Sequence, residues 1–219
     1  MIKLFKDIRA QNYELVEQLI HSNPELVNCT AKQPPKKDDG QSPLQVALKT
    51  GAFDIAEFLI DNGADLNFME DEGCCNVWRA PVVHDAINAA VMNSRWNTNN
   101  PYTGFEVFST EEAALRARRI LEKMLRLGSD VNRVDSFDNS GIWRFCLQAN
   151  QIVPKVDPVT NCEYDDRIFT AELEEDLLSV LKLLRQYGAD VNWAAPDIGL
   201  TVKEFFPNGP IAKLLNQAK

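Results

Sequence analysis

Gly40-Gln41-Ser42-Pro43-Leu44-Gln45-Val46-Ala47-Leu48 is followed by Thr50-Gly51, by Phe53 to Asn62, and by Gly63-Ala64-Asp65-Leu66-Asn67. The local chemistry of this stretch predicts two short helices and marks their ends. Ser42 is suited to an N-cap, because its hydroxyl can accept from a backbone N–H of the first turn. Pro43 then takes the first helical position, where its fixed φ fits and its missing N–H costs nothing. Thr50-Gly51 breaks that helix, and Phe53 to Asn62 forms a second, antiparallel one. Gly63 falls one residue past the last turn, where a left-handed conformation ends a helix without a side-chain clash. Asp65 and Asn67 suit the turn that leaves it.

The same ending recurs along the chain. It is seen in Leu19-Ile20 with Leu26-Val27-Asn28, in Met124-Leu125-Arg126-Leu127-Gly128-Ser129-Asp130-Val131-Asn132, and in Leu183-Leu184-Arg185-Gln186-Tyr187-Gly188-Ala189-Asp190-Val191-Asn192. Each copy follows an apolar stripe at helical spacing. The third stripe is Ala113, Ala117, Ile120, Leu121, Met124 and Leu125; the fourth is Leu173, Leu177, Val180, Leu181 and Leu184.

The stretch from Gly40 to Asn67 resembles an ankyrin repeat, whose pattern runs G-x-T-P-L-H-x-A, two helices, then G-A-D-V-N. Pro81-Val82-Val83-His84-Asp85-Ala86 resembles another opening, with its second helix at about Glu111 to Leu127. A weaker opening is Asp138-Asn139-Ser140-Gly141 with Phe145 and Ala149, with Glu174 to Tyr187 as its second helix. Leu4 to Asn28 resembles a first repeat without its leading turn, and Gly199 to Leu215 a closing half-repeat. The resemblance implies an all-α ankyrin-repeat solenoid of four to five stacked helix-turn-helix units with projecting hairpins. We expect a single domain over 1–219, with units at about 1–28, 38–67, 78–132, 136–192 and 196–219. In such an array each unit buries its apolar face against its neighbours, and the end units turn polar faces outward. Lys6, Arg9, Gln11, Glu14 and Gln18 at the front, and Lys213, Asn216, Gln217 and Lys219 at the back, fit that expectation.

The spacing departs from the family. The terminal asparagines stand at 28, 67, 132 and 192, so the intervals are 39, 65 and 60, against a family period of about 33. The excess falls in three inserts. Residues 29–39 read as an extended loop; 95–109, with Asn97-Thr98-Asn99-Asn100-Pro101-Tyr102-Thr103-Gly104, as a turn-rich loop; 151–169 as a loop with Pro154, Pro158 and an acidic patch. An interval of 65 could hold two repeats, but only two helical stripes lie between Gly63 and Gly128, which favours one.

Composition bounds the function. Of 219 residues, 45% are hydrophobic and 25% charged, the balance of a globular protein. The formal charge of −9 argues against a duplex nucleic-acid binder and against anionic membrane surfaces, and suits basic partners. With a mean hydropathy of −0.27, no stretch approaches the ~18 apolar residues of a spanning helix. Residues 1–7 hold no apolar signal segment, so the expected compartment is the cytoplasm. Five cysteines, an odd number, are expected as reduced thiols. We expect a monomer.

No pattern carries chemistry. G-x-x-x-x-G-K-[ST], H-E-x-x-H and G-x-S-x-G do not occur. Asp135 to Gly141 lacks the acid spacing and closing glutamate of a calcium loop and reads as a hairpin turn. Cys74-Cys75 lacks the spacing and partners of a metal site. His84 falls on the histidine of the repeat opening, which the resemblance implies bonds nearby backbone. We therefore expect no catalytic residue, cofactor or metal.

The expectation is a non-enzymatic module that binds a protein partner on the concave side made by hairpins and first helices. Binding hot spots favour Trp, Tyr and Arg. The candidates by position are Trp78, Arg79, Arg133, Phe137, Arg144 and Trp193, with Gln45, Lys49 and Asn88 on the helices. Trp78 admits a second reading, packed down on the next helix pair, and so do Phe137 and Trp193. Two alternatives stand beside this. One is an inhibitor or immunity-type protein neutralising a basic toxin or nuclease, motivated by the acidity outside 81–150. The other is an enzyme whose site is built from the inserts, with Arg116, Arg118 and Arg119 facing the carboxylates of 163–166.

Overall fold

The computed structural model describes residues 2–157, 159, 160 and 162–218; Pro158 of the third insert and Lys219 of the closing cap lie outside them. Among the described residues ten α-helices follow in pairs: α1 (Ile2–Arg9) with α2 (Tyr13–Ser22), α3 (Pro43–Lys49) with α4 (Phe53–Asp61), α5 (Val82–Met92) with α6 (Glu111–Arg126), α7 (Gly141–Ala149) with α8 (Ala171–Gln186), and α9 (Val202–Phe205) with α10 (Gly209–Gln217). The first helix of each pair packs on the first helix of the next, and second helices do the same. The 65-residue interval therefore holds one pair.

Caps and stops act where the residues predict. Ser42 Oγ accepts from Gln45 N while Gln45 Oε1 accepts from Ser42 N, a reciprocal capping box that starts α3. Gly63, Gly128 and Gly188 end α4, α6 and α8 at φ +86°, +99° and +85°. The helix α8 begins at Ala171 rather than near Glu174, because the Thr170 hydroxyl accepts from Leu173 N and fixes an earlier start. The apolar stripes meet in one core that runs from Leu4 to Ala218, with Trp143 and Phe145 of α7 wholly enclosed. Burial of each large side chain contributes roughly 1.5–3 kcal/mol. Among the polar end residues, Arg9 is half-buried and paired with Asp38, and the other described ones are exposed.

The fold is not purely helical. Residues 95–109, expected as a loop, form an antiparallel hairpin of β1 (Asn97–Asn100) and β2 (Gly104–Val107). Its turn is built locally: Asn100 Oδ1 accepts from Tyr102 N and Thr103 N, and Gly104 takes φ +85°. The neighbouring Thr98, Phe105 and Val107 are strand formers. The insert at 151–169 carries turns and one bridge, Val156 to Glu163.

Two sets of side-chain bonds repeat from unit to unit. The asparagine closing each unit clamps the turn that closes the next. Asn28 Nδ2 donates to Gly63 O and its Oδ1 accepts from Asp65 N; Asn67 does the same to Gly128 and Asp130, and Asn132 to Gly188 and Asp190, all at 2.7–3.1 Å. The second set sits three residues past each N-cap. Gln45 Nε2 donates to Ala80 O, His84 Nε2 to Arg133 O, and Trp143 Nε1 to Trp193 O, at 3.0–3.1 Å. A carbonyl only accepts, so His84 carries its proton on Nε2. Burial and the nearby Arg144 charge lower its pKa to about 3, so the ring is neutral.

Asn67→Ala removes both bonds of one clamp, and we expect it to cost about 1–2 kcal/mol, or roughly 3–6 °C in Tm. Asn192 holds the equivalent position, yet no described residue bonds its side chain, so Asn192→Ala should stay within about 0.5 kcal/mol of the parent. Thermal and urea unfolding of the two variants side by side check this; equal losses would show that the clamp adds nothing.

Candidate functional site

The loops between pairs and the first helices α3, α5 and α7 share one side of the molecule. Two buried ionic groups lie beneath that side. In the first, Lys49 Nζ is 3.2 Å from Glu70 Oε1 and 3.6 Å from Asp85 Oδ1. Gln41 Nε2 and Ala80 N also donate to Glu70, and Gln45 Nε2 donates to Asp85 Oδ2. Both carboxylates are 2% exposed, so two buried acids share one lysine. Burial pushes Asp85 up to about 6, against the pull of Lys49 and Gln45. Lys49 is raised: burial lowers it, and the two carboxylates outweigh burial.

The second group centres on Asp135. Its Oδ2 accepts from Trp78 Nε1 at 2.7 Å and from Arg144 Nη2 at 3.1 Å. Its Oδ1 accepts from Phe137 N and Asn139 N at 2.9 and 3.0 Å. Burial raises this carboxyl's pKa, but the donors from Asn139, Trp78 and Phe137 prevail and hold it below the usual carboxylate range. Arg144 Cζ lies 4.5 Å from the centre of the Trp78 ring, a cation–π contact. Phe137 meets Trp78 edge to face at 5.6 Å. Trp78 is thus held at its indole N–H, at one ring face and by the ring of Phe137, and is still 46% exposed; Phe137 is 43% exposed.

The predicted residues divide accordingly. Trp78, Phe137 and Arg144 form one contact group, flanked by Arg79, whose N donates to Ser136 Oγ and whose side chain pairs with Glu72. Trp193 is half-buried and joins through Nε1 to Asp138 O, beside Phe137. Arg133 is exposed and its carbonyl holds His84. Lys49 and Gln45 belong to the other group, and Asn88 lies half-buried one turn beyond Asp85 on α5. Gln45 and Arg144 differ from the expectation of surface contact. They are 0% and 8% exposed, because the third and fourth positions of a first helix face the next loop. They support the surface from beneath.

Glu70, Asp85 and Asp135 were not among the predicted residues. Asp85 carried a signal, an acid in the variable position of an otherwise apolar opening. Glu70 and Asp135 carried none beyond their places in the loops. Among the described residues no bond or ion pair joins Arg116, Arg118 or Arg119 to the 163–166 carboxylates. Arg116 pairs with Asp54 and Arg118 with Glu122, while the carbonyls of Asp165 and Asp166 accept from Asn99. Among the described residues no group of three or more His, Cys, Asp or Glu is placed to hold a metal ion. No described helix is long and apolar enough to cross a membrane.

Residues 4–92 match the family model for ankyrin repeats (3 copies). That span covers α1 to α5, and this part of the chain is built of ankyrin repeats. No curated protein matches the chain.

The raised pKa of Asp85 fixes the sign of a pH effect. The folded state holds this proton more tightly than the unfolded chain, so ionisation costs stability as pH rises from about 4 to 6. Asp85→Asn cannot ionise. The stability of the parent relative to Asp85→Asn should therefore fall across that window, by on the order of 2 kcal/mol. Urea unfolding of both proteins at several pH values measures the difference directly, and a difference independent of pH would contradict it.

Proposed function

We propose that this chain, which carries ankyrin repeats, is a non-enzymatic interaction module that docks a protein partner on its concave hairpin and first-helix face. Ankyrin repeats are generally protein-interaction modules. The observation that carries the reading is the Trp78–Phe137 pair. Large aromatics that stay half-exposed while fixed by neighbouring bonds lose little freedom on binding, the circumstance in which contact area converts into affinity. Arg79, Arg133 and Trp193 border the pair, and Lys49 and Asn88 extend it along α3 and α5; Gln45 and Arg144 act from beneath. The row of helix pairs would then be one solenoid domain over 1–219, acting as a monomer in the cytoplasm. The five cysteines, all free thiols, suit a reducing compartment.

The test places a photo-crosslinking phenylalanine analogue at Phe137, and for comparison at Leu115, an exposed position of α6. A protein crosslinked from 137 and not from 115, in lysate of the native source, is the expected result. Phe137→Ala should then weaken binding of that protein at least tenfold, a hot-spot effect of about 1.4 kcal/mol or more. Equal capture at both positions, or unchanged affinity in Phe137→Ala, would move the site elsewhere.

A further inference from the structure

The inserts of the third and fourth units lie outside that surface, and they meet each other. Asn99 N donates to Asp166 O at 2.7 Å, and Asn99 Nδ2 to Asp165 O at 2.9 Å. Asn97 bonds both ways with the backbone of Ile168, at 2.8 and 2.9 Å. Arg95, just before the hairpin, is tied by its N, Nε and Nη2 to the Asp176 carboxylate at the start of α8. β1 is therefore flanked on both sides, by β2 and by residues 165–168, and β2 is the edge.

The register says what that edge offers. Asn97 lies opposite Val107 and Asn99 opposite Phe105. In an antiparallel pair, residues alternate between bonding their partner and pointing away from it. Asn99 points its N–H away from β2, to Asp166, so Phe105 across from it points its N–H and C=O away from β1. Val107, two residues on, does the same. No described residue bonds them there. Edge strands are ordinarily guarded by Lys, Pro, a bulge or a covering element. Gly104-Phe105-Glu106-Val107 has no Lys, Pro or bulge; its guards are its four-residue length and Glu106, and all four positions are exposed. Phe105 and Val107 are 50% and 45% exposed, beside Tyr102 at 95%.

The charge around this edge is mostly acidic; on the facing insert Arg167 and Lys155 are the exceptions. Glu106 on β2, Glu111 and Glu112 at the start of α6, and Glu163, Asp165 and Asp166 on the facing insert are all exposed. Arg95 is committed to Asp176 and Glu175.

We propose that β2 is a second docking surface, where an extended segment of a partner protein, alternating Lys or Arg with apolar residues, adds as a further strand along Phe105 and Val107. Backbone bonds to those two residues would supply the register, and the carboxylates would select the basic side chains. The opposite edge of the same hairpin already takes a segment of this chain, residues 165–168. A second copy of the chain is the poorer occupant, because β2 against β2 would bring Glu106 and the acids around it against their like. The proposal does not rest on the Trp78–Phe137 surface.

The test uses the full chain and a synthetic nine-residue peptide alternating lysine with valine, blocked at both ends; its control is N-methylated at alternate amides. We expect the peptide to bind and the control not to. Amide exchange at Phe105 and Val107 should slow at least tenfold at saturation, and the affinity should weaken with salt. Val107→Pro removes one outward N–H while leaving the Phe108 N bond to Trp96 O, whose protection reports an intact hairpin. It should weaken binding at least tenfold; Glu106→Lys should weaken it as well. The proposal is overturned if the peptide does not bind at concentrations on the order of millimolar, or binds without protecting 105 and 107. Binding unchanged in Val107→Pro with its hairpin intact would also overturn it. So would a concentration-dependent dimer of the chain alone that Val107→Pro abolishes, which would assign the edge to a second copy.

Discussion

Each junction between the first four helix pairs is held by side chains that reach a backbone group in the next pair. At one end the closing asparagine bonds the glycine carbonyl and aspartate N–H of the next closing turn. At the other, from the second pair through to the fifth, the third residue of a first helix bonds a carbonyl in the next loop. Helix ends and the turns beside them leave backbone groups without intrahelical partners, so these bonds satisfy groups that burial would otherwise penalise. They are also set by position relative to the caps, and sequence distance does not enter. Intervals of 39, 65 and 60 residues consequently give the same asparagine clamp. Extra chain placed within a pair, between its first and second helix, touches neither set, and that is where both long inserts lie.

The third-position bond tolerates different chemistry. Gln45, neutral His84 and Trp143 occupy one structural site and share a single property, an N–H that reaches a carbonyl about 3 Å away. The following position is free of that duty, and here it carries charge: Asp85 on α5 and Arg144 on α7. Each is buried against an opposite charge: Asp85 against Lys49 at the end of α3, which Glu70 shares, and Arg144 against Asp135 in the loop before α7. Buried ions are costly to desolvate and seldom add net stability over apolar packing. What this arrangement does supply is direction: Asp135 takes donors from Trp78, Phe137, Asn139 and Arg144 at once, and thereby sets how two aromatic rings stand at the surface.

Much of the helical frame was legible because its signals are local. Ser42-Pro43, Gly63, Gly128, Gly188 and the apolar stripes act within one or two turns of chain. The network around Asp135 was not legible, since Trp78 and Asp135 are 57 residues apart and neither position announces the other. Trp78 admitted two readings, exposed or packed down, and the structure combines them: one face and the N–H are engaged while nearly half the surface stays open. The hairpin of β1 and β2 was hidden by its composition. Asn97 to Asn100 reads as a turn-rich run, and its strand character comes from the facing insert, which pairs with the backbone and side chains of Asn97 and Asn99.

The charge distribution separates two physical tasks. Around Trp78 and Phe137 the charges pair off, Arg144 with Asp135 and Arg79 with Glu72, while Glu106, Glu111 and Glu112 on and after β2 stand exposed. Charge acts over a Debye length, about 8 Å at physiological ionic strength, whereas an aromatic anchor acts only on contact. A surface whose anchors sit in a neutral region gains specificity from shape and bonding, and its affinity should depend weakly on salt. An edge strand ringed by carboxylates works the other way, drawing basic segments from a distance and holding them by backbone bonds that any sequence can make. On the two proposals above, the repeat frame would present both kinds of recognition at once. The inserts can carry the charged one without disturbing the neutral one, because the clamps between units do not pass through them.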